Sequence, residues 1–377
     1  MSFSLAEAVE EWDLALAGDT DLSGSPDTEP FARLLQGLID VGHLRFHSFQ
    51  NDPVQDFVSK LQKWLAQMPA SERSCAFELA NRFVFITQQQ FESLQRHLME
   101  GPLRLALLDA ITKKKSLGPL DLDLASRHLE EEITATLFVG NSSSSPVNSF
   151  SHVNSGRLHS RAARRLIGPD VALWTYPQSR VKQGLPPSVE RLAIDFEREV
   201  IGSDPLIQGK RNLVVVEDFS GSGSDLLKAV RLLAAADLPF SRVIISPVMS
   251  TSSAVESLTA ACQAASTASC AFEVVTAYRL PHRYRCFDTE LGKKSPEPSY
   301  LDESPLQPGL SGRIKALSEY VYGAHLSQSL DPADRHGFGG LALAFAFHSN
   351  CPDNSLPMLW YQGKDWFPLF RRASNYL

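Results

Sequence analysis

The run Asn212–Val230, NLVVVEDFSGSGSDLLKAV, constrains the fold more than any other part of this 377-residue chain. Leu213 to Val216 form a short, uninterrupted apolar stretch rich in β-branched residues, which is the pattern of a strand buried inside a sheet. Two adjacent carboxylates, Glu217 and Asp218, mark its end, and a turn of small residues follows, Phe219-Ser220-Gly221-Ser222-Gly223-Ser224. An amphipathic helix opens near Asp225. Strand, tight turn and helix in direct succession make a βα unit, and open sheets built from such units take their ligands at the carboxyl ends of the strands.

The surrounding pattern extends this reading. From about residue 133, β-branched runs alternate with helical ones. The strands expected are Ala135–Val139, Val171–Tyr176, Asn212–Glu217, Arg242–Val248, Phe272–Arg279 and Leu341–Phe347, and the helices Pro187–Val200, Asp225–Ala236, Ser253–Ala265 and Gly312–Tyr322. Before residue 125 the apolar spacing is helical, with stripes at Phe31, Leu34, Leu35, Leu38 and Ile39, at Val54, Phe57, Val58, Leu61 and Leu65, and at Phe77, Leu79, Phe83 and Phe85. Thr87 then stands as an N-cap with Gln90 three residues on, as in a capping box. The expected architecture is an all-α helical domain over residues 1–125, followed over 126–377 by an α/β domain with a mostly parallel open sheet and flanking helices. The polar stretches Gly18–Glu29 and Gly140–Ser151 (GNSSSSPVNSFS) read as loops, and the Pro-, Ser- and acid-rich Leu291–Pro308 as an exposed excursion.

Composition narrows the function classes. With 36 Lys+Arg against 43 Asp+Glu the formal charge is -7, so no overall basic field exists to hold nucleic acid. The longest apolar runs fall far short of the ~18 residues that span a bilayer, and the acidic start MSFSLAEAVEEWD is unlike a signal peptide. Five scattered cysteines without a CxxC indicate neither a disulfide framework nor a zinc site, which fits reduced thiols in the cytoplasm.

The chemistry of the Ser220–Asp225 turn suits a sugar phosphate. Glycines let the backbone approach a ligand closely, and the turn amides with the helix N-terminus supply donors and partial positive charge. Carboxylates at the strand end can accept from vicinal ribose hydroxyls or help hold Mg²⁺, directly or through water. A Walker A loop needs a Lys that is missing here, a dinucleotide fingerprint needs a third glycine where Leu226 stands, and a nucleophile elbow needs GxSxG. The plainer alternative is a glycine-rich turn beside a solvent-facing acid pair.

At these residues the sequence resembles the type I phosphoribosyltransferase fold, whose signature is a hydrophobic strand, an acid pair and a small-residue loop that holds 5-phosphoribosyl 1-pyrophosphate. Val214-Val215-Val216 correspond to the strand, Glu217-Asp218 to the acid pair and Gly221-Ser222-Gly223-Ser224 to the loop. The resemblance implies ribose contacts and catalytic roles for Glu217 and Asp218, 5-phosphate contacts from Ser220 to Ser224, and Mg²⁺ as the only cofactor, with no organic one. It departs at Asp225, which replaces the usual threonine; either this carboxylate turns outward or the ligand differs. The tail, with Gly337, Gly339, Asn350, Pro352, Asn354, Trp360 and Trp366-Phe367-Pro368-Leu369-Phe370-Arg371, is similar to that of phosphoribosyltransferase-like proteins of bacterial conflict and defence loci, in which a helical region precedes the domain. That resemblance implies a nucleotide- or phosphoribosyl-binding protein that transfers or hydrolyses its ligand in an antiviral role; the alternatives are a non-catalytic nucleotide sensor that relays to a protein partner through the helical region, or a protein- or nucleic-acid-interaction module on the same fold.

Departure of pyrophosphate calls for cations facing the loop. Arg157 and Arg161, with Arg164 and Arg165 on a compatible face, form one candidate group beside His159, and Arg180 and Lys182 form another. A solvated basic helix is the alternative for the first group, and nucleic acid is expected only through this Arg157–Arg165 face. Asn350 and Asn354 follow a strand end, where they can contact ligand or simply form a turn. Trp360, Trp366, Phe367 and Phe370 read as packing residues, and no general base stands out beyond His282 or His336.

Overall fold

The computed structural model describes residues 3–19, 29–45, 57–118, 120–140, 172–173, 208–236, 238–291, 294–348 and 350–370. Along the chain the elements are α1 (Leu5–Asp19), α2 (Pro30–Arg45), α3 (Phe57–Ala66), α4 (Arg73–Arg82), β1 (Val84–Ile86), α5 (Gln88–Glu100), α6 (Pro102–Lys115) and α7 (Leu122–Thr134). Then come β2 (Thr136–Gly140), β3 (Ala172–Leu173), β4 (Asn212–Ser220), α8 (Ser224–Ala235), β5 (Arg242–Thr251), α9 (Ser252–Ala265), β6 (Ala271–Val274) and β7 (Tyr278–Leu280). The chain closes with α10 (Leu310–Val321), β8 (Phe345–Phe347) and the single turn α11 (Pro357–Trp360). The protein is α/β with parallel sheets and flanking helices. No described helix is long and apolar enough to cross a membrane.

Contacts divide the chain into two compact units, one of Met1–Phe91 with His282–Leu377 and one of Glu92–Pro281. The second unit holds the larger sheet, ordered β3-β2-β4-β5-β6 with β7 also on β5, every described pairing parallel. Leu213 to Val216 are wholly buried, which removes roughly 1.5–3 kcal/mol worth of apolar surface per side chain from water. The pleat sorts them: Leu213 and Val215 meet Leu226, Val230 and Leu258 of α8 and α9, while Val214 and Val216 meet Met99, Leu103, Leu107 and Ile133. The helical residues after Glu92 therefore pack on the sheet and fall in its unit. Pro247, which has no N–H to donate, falls where β5 exchanges β6 for β7 as its neighbour, between Ile245↔Val274 and Met249↔Tyr278. The expected strand Phe272–Arg279 is accordingly two strands.

The first unit joins the two ends of the chain. Phe57, Leu61, Trp64 and Leu65 give α3 one buried stripe, which shares a core with Ile314, Leu317, Met358, Trp366 and Phe370. The Trp64 and Trp366 indoles both donate to the Met358 carbonyl, at 2.9 and 3.1 Å. Gln67 zips onto the tail backbone, its Nε2 donating to Phe367 O at 2.9 Å and its Oε1 accepting from Phe367 N–H at 2.6 Å. Asp13, buried on α1, accepts from the Phe31 and Ala32 N–H groups at 2.8 and 3.0 Å and so caps α2 from outside it. Thr87 and Gln90 form the reciprocal capping box, Thr87 N–H to Gln90 Oε1 at 2.9 Å and Gln90 N–H to Thr87 Oγ1 at 3.2 Å.

Three expectations are corrected here. Phe83 and Phe85 do not continue a helix: α4 stops at Arg82, Phe83 follows it in extended backbone and Phe85 is the central residue of β1, with both rings turned toward Phe370. The strand foreseen at Leu341–Phe347 shortens to Phe345–Phe347 and pairs in parallel with β1 instead of joining the larger sheet. Leu291–Pro308 is not simply exposed, since Tyr300, Leu301, Ser304 and Gln307 are buried and Ser304 bonds the buried Glu78. Exchanging Gln67 for Ala leaves the partly buried Phe367 amide without its partner and is expected to cost about 1–3 kcal/mol; an unchanged denaturant midpoint would show that the zipper contributes nothing.

Candidate functional site

In the larger sheet, β2 is flanked by the next described strand, β3, on one side and by β4 on the other. The chain thus reverses its direction of travel across the sheet between β2 and β4, and the carboxyl ends of strands at such a switch point form a crevice suited to ligands. The β4 turn stands there. β4 runs past the acid pair to Ser220, so Glu217 and Asp218 occupy consecutive strand positions and fall on opposite sides of the pleat. Both are half-buried, and Asp218 Oδ1 accepts from Phe219 N–H at 2.8 Å.

Gly223 takes φ 81° and ψ −4° as the residue before α8, a left-handed conformation that glycine adopts without strain. A Cβ here would stand 3.4 Å from Ala254 Cβ, so the turn lies close against α9. Ser222 Oγ accepts from Ser224 N–H at 3.3 Å and donates to Ser224 Oγ at 3.1 Å, which folds the turn onto the first turn of the helix. Asp225 points outward: it is exposed, and its carboxylate lies 3.5 Å from Lys228 Nζ, where a negative charge suits a helix N-terminus. The replacement of threonine by aspartate at this position therefore puts no carboxylate among the serines.

A second turn, not singled out in the sequence, lies alongside. β4 and β5 pair in parallel with Ser220 opposite Ser250, so the two strands enter their turns side by side. Ser250 Oγ donates to Ser220 O at 3.1 Å, and Thr251 Oγ1 to Gly221 O at 2.6 Å. Thr251 also caps α9 by accepting from Ala254 N–H at 3.2 Å. Arg279, opposite Ser250 on β7, donates to Ser252 Oγ at 2.9 Å and pairs with Glu256 at 2.8 Å. The signal for this turn was present in Ser250-Thr251-Ser252-Ser253, a hydroxyl-rich run directly after a buried strand, with Thr251 at an N-cap position.

The PRTase-CE family model matches residues 61–372. The chain belongs to the PRTase-CE family, a phosphoribosyltransferase-like family. No curated protein and no solved structure matches it.

The PRTase-CE match includes both βα turns and the tail. Of the other candidates, Arg157, Arg161, Arg164, Arg165, His159, Arg180 and Lys182 lie outside the described residues, as do the serine-rich loop, the helix expected at Pro187–Val200 and most of Val171–Tyr176. Asn350 and Asn354 belong to the other compact unit, where both serve turns. Asn354 Nδ2 donates to Phe338 O at 3.0 Å, and Asn350 and Phe347 exchange backbone bonds. Gly337 makes that turn tight, since its absent Cβ would fall 2.4 Å from Asn354 O. Trp360 and Trp366 are buried as expected, with both indoles satisfied by backbone carbonyls.

His336 is also in that unit, buried and edge-on to the Phe287 ring at 5.2 Å, so it is a packing residue. Burial, then Arg335 and Lys315, hold its imidazole below the ordinary range, against the opposing pull of Glu319, 3.8 Å away, and Glu290. The unfolded chain takes up this proton more readily than the folded one, so stability is full above pH ~6.5 and declines as the pH falls from there. Urea unfolding at pH 7.5 and 5.5 is expected to show this decline in the parent and a smaller one in His336→Gln; equal declines would remove His336 as its source.

Proposed function

We propose that the protein binds a phosphoribosyl compound, 5-phosphoribosyl 1-pyrophosphate or a related nucleotide, at the carboxyl ends of β4 and β5 and transfers or hydrolyses its ribosyl group. One observation carries this reading: the strand, acid pair, glycine turn and helix fall at the switch point of a parallel sheet, inside the PRTase-CE match. The turn amides of residues 220–224 and the first turn of α8 would hold the 5-phosphate. Glu217 and Asp218 would accept from the ribose hydroxyls, and their negative charge would favour the oxocarbenium-like ribose as the bond from the anomeric carbon to pyrophosphate breaks. An acceptor nucleophile, or water, then takes the anomeric carbon, and the pyrophosphate leaves.

The donor set suits magnesium. Among the described residues no group of three or more His, Cys, Asp or Glu side chains is placed to hold a metal ion, and an ion held by one or two carboxylates, water and the substrate's own oxygens needs none. Bound in that way, Mg²⁺ supplies neutralisation of the pyrophosphate charge. Arg157, Arg161, Arg180 and Lys182 are assigned to that anion within this proposal. A cytoplasmic role as a bacterial defence effector, with a partner for the helical elements, follows the tail resemblance.

Calorimetric titration of 5-phosphoribosyl 1-pyrophosphate with Mg²⁺ is expected to show binding to the parent and binding weakened about tenfold or more, ~1.4 kcal/mol, in folded Glu217→Gln and Asp218→Asn. Binding unchanged in both variants would place the ligand elsewhere. Binding without pyrophosphate release for any acceptor would make the protein a sensor rather than a transferase.

A further inference from the structure

We propose that Thr251 is a positioning residue for the phosphate turn, orienting one peptide unit of the neighbouring βα loop so that its N–H faces the anion; this rests on the phosphoribosyl reading above. The hydroxyl, on a residue that is only 5% exposed, has one proton and three polar neighbours. Gly221 O, at 2.6 Å, can only accept, and Ala254 N–H, at 3.2 Å, can only donate. The Thr251 proton therefore goes to Gly221, and Ser253 Oγ, at 3.2 Å, is left to donate its own proton to Thr251.

The Gly221 carbonyl and the Ser222 N–H belong to one planar trans peptide and point in opposite directions. Holding the carbonyl toward Thr251 turns the Ser222 N–H away from α9, and among the described residues no acceptor takes it. The same bond keeps a carbonyl dipole, which would repel an anion, off the inner face of the turn. Parallel pairing of Ser220 with Ser250 places Thr251 beside Gly221. Thr251 acts through the turn and need not touch ligand.

The test compares parent, Thr251→Ser and Thr251→Val by calorimetry with Mg²⁺ and 5-phosphoribosyl 1-pyrophosphate, with thermal unfolding of each measured in parallel. Serine keeps the donor and valine keeps only the shape, so the parent and Thr251→Ser are expected to bind alike, and folded Thr251→Val about tenfold more weakly. A purely structural role would lower the melting temperature of Thr251→Val and leave the affinity of its folded fraction at the parent value, and that result overturns the inference alone. If Thr251→Val does not fold, Thr251→Cys, a much poorer donor of nearly the size of serine, takes its place with the same expectation. A folded parent that binds nothing at millimolar ligand overturns the phosphoribosyl reading and this inference with it.

Discussion

The parallel register of β4 on β5 is the constraint on which the candidate site depends. It sets Val216 beside Ser246 and, further along, Ser220 beside Ser250, so two βα turns emerge together at the carboxyl ends of the two strands. A slip of one residue would move every side chain of β4 to the other face and carry Leu213 and Val215 away from α8 and α9. The turns are then tied directly, by Ser250 to the Ser220 carbonyl and Thr251 to the Gly221 carbonyl. Buried apolar strands fix where those ends are, and hydroxyl groups fix how the backbone lies upon them.

The chemistry at those strand ends is largely that of amides and hydroxyls. Ser222 and Ser224 satisfy each other, Gly223 brings the turn against α9, and Asp225 is turned out to Lys228. An anion held there would rely on oriented N–H groups and a helix N-terminus more than on side-chain cations. That arrangement suits a chain whose net charge is -7 and which has no general basic field to draw phosphates in.

Local features of the fold were legible in the sequence because they are local in physics. The Leu213–Val216 run, the glycine turn, the helix after it and the Thr87–Gln90 capping box each depend on neighbours within a few residues, and each is found in place. The pairing of β1 with β8 joins Val84 to Phe345, and Gln67 grips Phe367; no periodicity within either segment can announce such a partner. Phe85 looks helical for the same reason, because so short a segment beside a helical stripe becomes a strand only when a distant strand pairs with it. The cap at Thr251 is readable from its own neighbours, but its bond to Gly221 depends on a residue across the ladder.

A phosphoribosyl ligand seated on the β4 turn would cover the amides of that turn. Hydrogen–deuterium exchange of the parent protein, with and without Mg²⁺ and 5-phosphoribosyl 1-pyrophosphate, tests it most directly. A ligand seated there is expected to slow exchange in peptides covering residues 219–226, where amides of the turn become donors to phosphate. Protection confined to other parts of the chain, with the 219–226 amides exchanging as before, would contradict it.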